Sequence, residues 1–209
     1  MYLFCSRIMD HRYFLVYKPY KMVSQFISPD RDKVNLLGDL DFQFPKGTHA
    51  IGRLDNHSEG LLLLTTNQKV TRLLFEGERS HERTYLVRAK GHMLPETLQR
   101  LQAGVRILVA EDTHYLAAPT RAVIVAKPAG LQPRPSEPPD KAPHTWLLIT
   151  LTEGKYHQVR KMVGAIHHRC QRLIRVSIED IELGDMQPGE VREIGEQAFF
   201  ERLKIGQFV

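Results

Sequence analysis

The residues around Asp55 are the part of the sequence best suited to chemistry. The segment Gly52-Arg-Leu-Asp55 precedes Ser58-Glu-Gly and then the apolar run Leu61–Leu64. An aspartate seldom lies beside a core run unless it is paired, and Arg53, two residues away, shares a face with it on an extended backbone. Spacing alone favours a structural Arg–Asp pair that closes a turn. The alternative is a carboxylate that acts as a nucleophile or a base.

Glu59 offers a second carboxylate four residues after Asp55. Two such groups can form the acid–base pair of a hydrolase when they lie close together. That spacing brings them together only on a helix, and Gly60 followed by four leucines predicts a strand instead. The paired-carboxylate hydrolase therefore remains a weaker hypothesis.

A one-sided basic run follows in the last third of the chain. Six Lys or Arg residues and no acidic residue lie between Lys155 and Ile178. A solvated basic face is the plain interpretation, but a phosphate-binding surface explains the pattern at least as well. The net charge of +5 and the pI near 9.2 agree with a polyanionic partner.

Other kinds of chemistry have little support in the sequence. The two cysteines, Cys5 and Cys170, and the 10 histidines show no metal-ligand spacing. We therefore predict no metal site, and we find no nucleotide-binding fingerprint. No segment reaches the apolar length of a membrane span, so a cytoplasmic protein without a membrane association is expected.

Hydrophobic periodicity predicts the elements that must position Asp55. Predicted strands are 13–17, 60–65, 84–88, 105–109, 121–126 and 146–151, and predicted helices are 70–74, 94–102 and 159–166, with strand-like segments from there to the end. This alternation predicts an α+β fold with a mixed, largely antiparallel sheet flanked by helices and loops.

We expect one domain, residues 11–209, after an N-terminal extension, residues 1–10. Six of the 12 prolines lie between Lys127 and Pro143. A segment with so little apolar periodicity cannot bury enough surface to offset its ordering entropy. Residues 127–143 are therefore predicted to be a mobile loop.

Four motifs in order resemble those of the RsuA-like pseudouridine synthases. The catalytic motif of that family resembles Gly52-Arg-Leu-Asp55 with Ser58-Glu-Gly-Leu and Leu64-Thr65. Leu15-Val-Tyr-Lys-Pro-Tyr20 looks like its opening strand, and Arg83-Thr-Tyr85 looks like its Lys-x-Tyr strand. Glu153-Gly-Lys-Tyr-His-Gln-Val-Arg-Lys-Met162 is similar to its Glu-Gly-Lys-x-x-Gln-Val-Arg-Arg-Met motif. The resemblance covers roughly 13–194 and implies the pseudouridine synthase fold.

The resemblance also implies roles for individual residues. Asp55 would be the essential catalytic residue, Tyr85 would lie against the target base, and Arg160 would pair with Asp55 and keep it ionised in a largely desolvated pocket. The predicted RNA-binding residues are basic: Arg53, Lys155, Lys161, Arg169, Arg172 and Arg175. Because the reaction is an isomerisation, no cofactor is expected.

The chain departs from the family pattern in two places. Thr66-Asn67-Gln68 replaces the usual Asn/Asp-Gly after Leu64-Thr65, and no N-terminal S4 RNA-binding domain fits before Tyr13. With Ser24-Gln25-Phe26 after the Lys-Pro strand, the chain is most similar to the RluE-type subgroup. That likeness implies a monomer acting on 23S ribosomal RNA. The alternatives are a synthase acting on a different RNA and an RNA-binding module without catalysis.

Overall fold

The structure is a computed structural model, and it describes residues 11–77 and 79–206. The predicted extension 1–10, including Cys5, lies outside the described residues. The strands are β1 Tyr13–Lys18, β2 His49–Ile51, β3 Glu59–Thr65, β4 Arg83–Lys90, β5 Val105–Ala110, β6 Thr113–Ala117, β7 Arg121–Val125, β8 His144–Leu151, β9 Cys170–Ile178, β10 Ile181–Glu182 and β11 Val191–Ile194. The helices are α1 Lys69–Glu76, α2 Pro95–Gln102, α3 Gln158–Ala165 and α4 Glu196–Leu203.

A nine-stranded mixed sheet organises the described part of the chain. Its main order is β11-β1-β3-β9-β4-β8-β7, with β2 paired to β3 and β10 paired to β9. The β3–β9 pair is parallel and the other pairs of this sheet are antiparallel. The predicted α+β class, with a mixed and largely antiparallel sheet, is confirmed.

The central strand β3 is buried on both faces, which explains its unbroken leucine run. Leu61 and Leu63 belong to the core that contains residues of α1 and α4, such as Val70 and Phe199. Leu62 and Leu64 belong to the opposite core, which holds residues of the connection between β1 and β2. Because both faces are apolar, the strand shows no alternation.

The other half of the sheet is covered by α2, α3 and the separate β5–β6 hairpin. Leu101 of α2, Met162 of α3 and Ile107 of β5 share one core with Leu147 and Ile149 of β8. This packing fixes the position at which α3 begins, beside the turn that contains Asp55.

Three elements were missed by the sequence analysis. Strand β2 is only three residues long, and β6 has largely exposed side chains, so neither shows a periodic apolar pattern. The prediction of strand-like segments to the end was wrong for α4. Its buried Phe199, Phe200 and Leu203 follow helical spacing. Because the helix has only eight residues, this spacing is a weak periodic signal in the sequence.

The proline-rich segment, residues 127–143, contains no helix or strand, yet buried side chains hold it to the sheet. Arg88 donates to the carbonyls of Pro138 and Pro139. Arg134, from within the segment, donates to Glu59 at 3.2 Å and to the carbonyl of Gln171. The prediction that this segment is mobile considered only its apolar surface and did not include these buried charged contacts.

Candidate active site

Asp55 lies in a tight turn between β2 and β3. The Ser58 amide donates to the Asp55 carbonyl at 2.9 Å, which closes the turn. The hydroxyl of Ser24 is hydrogen-bonded to both the amide and the carbonyl of Leu54, at 2.9 Å each. The segment after β1 therefore holds the backbone, while the Asp55 side chain is 34% exposed. The prediction that its pocket is largely desolvated was wrong in this structure.

Arg160 holds the turn rather than the carboxylate of Asp55. From α3, its Nη2 donates to the His57 carbonyl at 2.6 Å and to the Ser58 hydroxyl at 3.3 Å. Within the described residues, the ion-pair partner of Asp55 is His157, whose Nε2 lies 3.6 Å from Oδ2. The predicted Arg160–Asp55 pair was therefore wrong, because the carbonyl and hydroxyl of the same turn occupy the guanidinium.

A cavity of about 560 Å³ opens beside this turn. Asp55 and Tyr85 both line it, although one comes from a turn and the other from β4. A register shift between Thr84 and Tyr85 interrupts the β4–β9 ladder, and such irregularities re-aim side chains. The remaining walls include Arg53, Phe75, Arg83, Lys155, Tyr156, His157 and Arg175.

Arg175 lies behind Tyr85 and is only 4% exposed. Its Nε donates to the Leu61 carbonyl at 2.8 Å, and burial lowers the pKa of this arginine, against a raising interaction with the Tyr85 hydroxyl. Gly60, paired with Arg175, has a φ of +100°, and a Cβ there would lie 2.3 Å from the Arg175 carbonyl oxygen. Glycine at this position is therefore what allows β3 to approach β9.

Glu59 faces away from the cavity into a buried ionic cluster. Arg172 donates to its carboxylate at 2.9 and 3.1 Å, and Arg134 donates at 3.2 Å. Arg172 also bonds Glu137 of the proline-rich segment at 2.9 Å. Because Glu59 is buried in this cluster, it cannot contact the same substrate as Asp55. The structure therefore does not support a hydrolase that uses these two carboxylates as an acid–base pair.

The predicted RNA-binding residues divide into exposed and buried groups. Arg53, Lys155 and Arg169 are exposed, and Lys161 is half-buried. Arg172 is 1% exposed and is held by Glu59 and Glu137, so it does not belong to an exposed basic surface as predicted. Arg175 is 4% exposed but lines the cavity. A run of basic residues does not distinguish the inward from the outward positions of a strand.

Positive charge surrounds the turn that contains Asp55. Burial lowers the pKa of His57, and the charges of Arg160, Arg134, Lys18 and Lys21 lower it further. Lys18 is buried, with Nζ donating to the Met22 carbonyl at 2.6 Å. Burial lowers the pKa of this lysine to about 7. An anionic ligand would therefore meet a favourable potential here.

Residues 11–77 and 79–206 hold neither a cluster of metal ligands nor a membrane-spanning helix. No group of three or more His, Cys, Asp or Glu side chains is arranged to hold a metal ion. No helix in that part is both long enough and apolar enough to cross a membrane.

Comparison with known proteins identifies the family. A family model described as RNA pseudouridylate synthase matches residues 12–165. The chain belongs to the RNA pseudouridylate synthase family. It is 34% identical over 181 residues to the "Ribosomal large subunit pseudouridine synthase E" of Vibrio parahaemolyticus serotype O3:K6 (strain RIMD 2210633), covering 85% of this chain and 71% of that one. It is 36% identical over 180 residues to the protein of the same name from Xanthomonas axonopodis pv. citri (strain 306), covering 83% and 89%.

The fold agrees with that of a solved synthase. The structure described as "Crystal structure of pseudouridylate synthase" superposes with a TM-score of 0.69 over 93% of this chain and 74% of that one, at 24% identity. The resemblance to RsuA-like pseudouridine synthases, near the RluE-type subgroup, is confirmed, as are the pseudouridine synthase fold and the class of RNA-modifying isomerase.

The sequence analysis gave no role to His157 of the synthase cavity, or to Ser24 and Lys18, which lie outside the cavity lining. His157 lies within the quoted motif 153–162, but at a position that the family pattern leaves open. Ser24 and Lys18 each donate a hydrogen bond to a backbone carbonyl. A pattern of residue types does not reveal contacts of this kind. Lys18 belongs to the motif that resembles the family's opening strand, and the adjacent Pro19 was the only feature that drew attention to it.

Proposed function

We propose that the chain converts a uridine of large-subunit ribosomal RNA to pseudouridine, with Asp55 as the catalytic carboxylate. The observation that carries this proposal is the joint placement of Asp55 and Tyr85 on the wall of one cavity. A carboxylate and an aromatic ring beside a solvent-filled cleft suit a nucleoside that has left its stack.

The reaction is an internal rearrangement. The bond between N1 of uracil and C1′ of ribose breaks, the base turns, and a bond forms between C5 and C1′. C5 then loses its proton and N1 carries one, so the atoms balance without a redox partner. Asp55 acts on the nucleoside as a nucleophile or a base, and no cofactor is required.

The neighbours of Asp55 have supporting roles. His157, at 3.6 Å, is the charge partner of the carboxylate when the imidazole is protonated. Arg160 keeps the turn in position through the His57 carbonyl and the Ser58 hydroxyl. Tyr85 lies against the uracil ring while it turns.

The exposed basic residues hold the RNA. Extruding a uridine from its stack costs a few kcal/mol, and phosphate contacts help to offset this cost. Arg53 lies on the cavity wall and is exposed, so it contacts the backbone next to the extruded nucleotide. Lys155, Lys161 and Arg169 extend that contact along α3 and the start of β9.

Large-subunit RNA is the proposed substrate because the similar proteins from Vibrio and Xanthomonas are named for it. We further propose that the protein acts as a monomer in the cytoplasm, where this RNA is made.

The test is incubation of the protein with unmodified transcripts of large-subunit and small-subunit ribosomal RNA, followed by chemical mapping of pseudouridine. We expect one modified uridine, in the large-subunit RNA, and none with Asp55→Asn protein. Modification only in the small-subunit RNA would contradict the substrate. Tight RNA binding without any pseudouridine would favour a non-catalytic binding module.

A further inference from the structure

Two aromatic side chains form an exposed stack at the mouth of the cavity. The rings of Tyr156 and His157 lie 3.9 Å apart between centroids, with planes inclined by 19°. Tyr156 is 70% exposed, the highest value among the described aromatic residues with large exposed apolar surface. An exposed aromatic ring at the edge of a cavity offers a flat face on which a planar ligand can stack.

The backbone under this stack is firmly held before any ligand arrives. The Gln158 side chain accepts from the Lys155 amide at 2.8 Å and donates to Glu153 at 2.6 Å. Glu153 also accepts from the hydroxyl of Tyr115 on β6. His157 has a φ of +55°, a strained conformation for this residue type that persists only where the surroundings impose it.

Cations accompany the exposed ring. Lys161 of α3 has its Nζ 5.3 Å from the Tyr156 ring centroid. Lys155, the residue before Tyr156, is exposed, and its Nζ lies 5.2 Å from the Tyr115 ring centroid. A planar aromatic surface flanked by lysines matches the chemistry of a single-stranded nucleotide, whose base stacks while its phosphate meets a cation.

The position of the stack relates it to the reacting nucleotide. His157 touches the carboxylate of Asp55, with 3.6 Å between Nε2 and Oδ2, and both rings line the same cavity. A uridine placed at Asp55 therefore brings the next nucleotide of its strand to Tyr156.

We infer that the Tyr156–His157 stack is a binding site for an unpaired nucleobase adjacent to the target uridine, with Lys161 neutralising the phosphate beside it. This inference rests on the proposed function. The neighbouring base would thereby be anchored, which sets the register of the RNA strand and makes Tyr156 a specificity-determining residue.

The first test measures binding alone, in Asp55→Asn protein. The probe is a dodecamer of oligouridylate with 2-aminopurine at one central position. We expect quenching of the 2-aminopurine on binding, retained in Tyr156→Phe. Tyr156→Ala should lose the quenching and bind about 5- to 150-fold more weakly. Leu94→Ala, which removes an equally exposed apolar group (62%) outside the cavity, is the matched control and should change neither property.

The second test separates stacking from a structural role toward His157. In the active enzyme, the proposal expects Tyr156→Ala to raise KM for ribosomal RNA with little change in kcat. Lowered kcat with unchanged KM and unchanged oligonucleotide affinity would overturn it, because Tyr156 would then only position His157. If the wild type forms no pseudouridine in any RNA, the proposed function is wrong. The quenching and affinity measurements of the first test still show whether the Tyr156–His157 stack binds a nucleobase.

Discussion

Glu59→Gln is the substitution that should reveal how strongly the proline-rich segment is tied to the sheet. The glutamine keeps the shape of the side chain and removes its charge. Arg134 then loses its carboxylate partner at 3.2 Å, while Arg172 keeps Glu137 at 2.9 Å. Breaking a buried ion pair on one side costs about 3–5 kcal/mol. Because Arg172 retains one partner, we expect the lower end, about 3 kcal/mol.

A loss of this size lowers the melting temperature by roughly 6–12 °C for a domain of this length. Urea denaturation, followed by circular dichroism, measures the free energy of unfolding, and calorimetry measures the melting temperature. Glu193→Gln is the matched control, because it removes a carboxylate from an ion pair whose two side chains are 44% exposed. Its effect should be much smaller.

A double-mutant cycle adds a second criterion. Arg134→Met alone should also destabilise the protein, but the two changes together should cost less than their sum, since they disrupt the same cluster. If Glu59→Gln has no larger effect than Glu193→Gln, or if the two changes are additive, the segment is not held by this cluster and our account of it is refuted.

Three further predictions concern the catalytic residue, the RNA contact and a buried lysine. Asp55→Asn should leave the fold and RNA affinity near those of the wild type and form no detectable pseudouridine, as circular dichroism, binding titration and chemical mapping will show. Neutralising Lys155 and Arg169 together should reduce the slope of log affinity against log salt by roughly 0.7 for each lost phosphate contact with single-stranded RNA, measured by titration at several salt concentrations. Burial lowers the pKa of Lys18 from 10.5 to about 7. Between these two pH values the unfolded chain binds one more proton than the folded chain, so the free energy of unfolding of the wild type should rise with pH relative to that of Lys18→Met. Denaturation at several pH values measures this difference.

Each of these has an outcome that contradicts it. Pseudouridine formed by folded Asp55→Asn protein at a wild-type rate would remove Asp55 from the mechanism. An unchanged salt slope would mean that Lys155 and Arg169 face away from the RNA. Parallel stability curves for the wild type and Lys18→Met from pH 7 to 10 would mean that Lys18 stays protonated in its buried position.

The sequence alone predicted the strands and helices whose hydrophobic pattern agrees with their burial in the structure. The leucine run of β3 predicted a buried strand, and the helical spacing of Val159, Met162 and Val163 predicted α3. The family motifs placed Asp55 and Tyr85 together, and the structure puts both on one cavity wall. The predictions of β3 and α3 succeeded because the local sequence pattern of a single element determines them.

The predictions failed where partners come from distant elements. Arg172 and Arg175 looked like part of a basic surface, but both lie in the buried middle of β9, at consecutive buried positions 172–175. Glu59 was kept only as a weaker alternative for a second catalytic carboxylate, and its partner Arg134, 75 residues away, could not be assigned to it from sequence. Arg160 was matched to Asp55, whereas the nearer acceptors on the same turn are a carbonyl and a hydroxyl.

The parallel pairing of β3 with β9 has a consequence for the growing chain during synthesis. Glu59 and Arg172 are 113 residues apart, which corresponds to roughly 6–23 s of translation. Throughout this interval the edge of β3 that faces β9 is unpaired, and Arg172 is not yet available to the carboxylate of Glu59. A nascent chain in this state is exposed to association with other strands. The contacts that hold the turn containing Asp55, from Arg160 of α3 and through the β3–β9 pair, can form only after those later elements have left the ribosome.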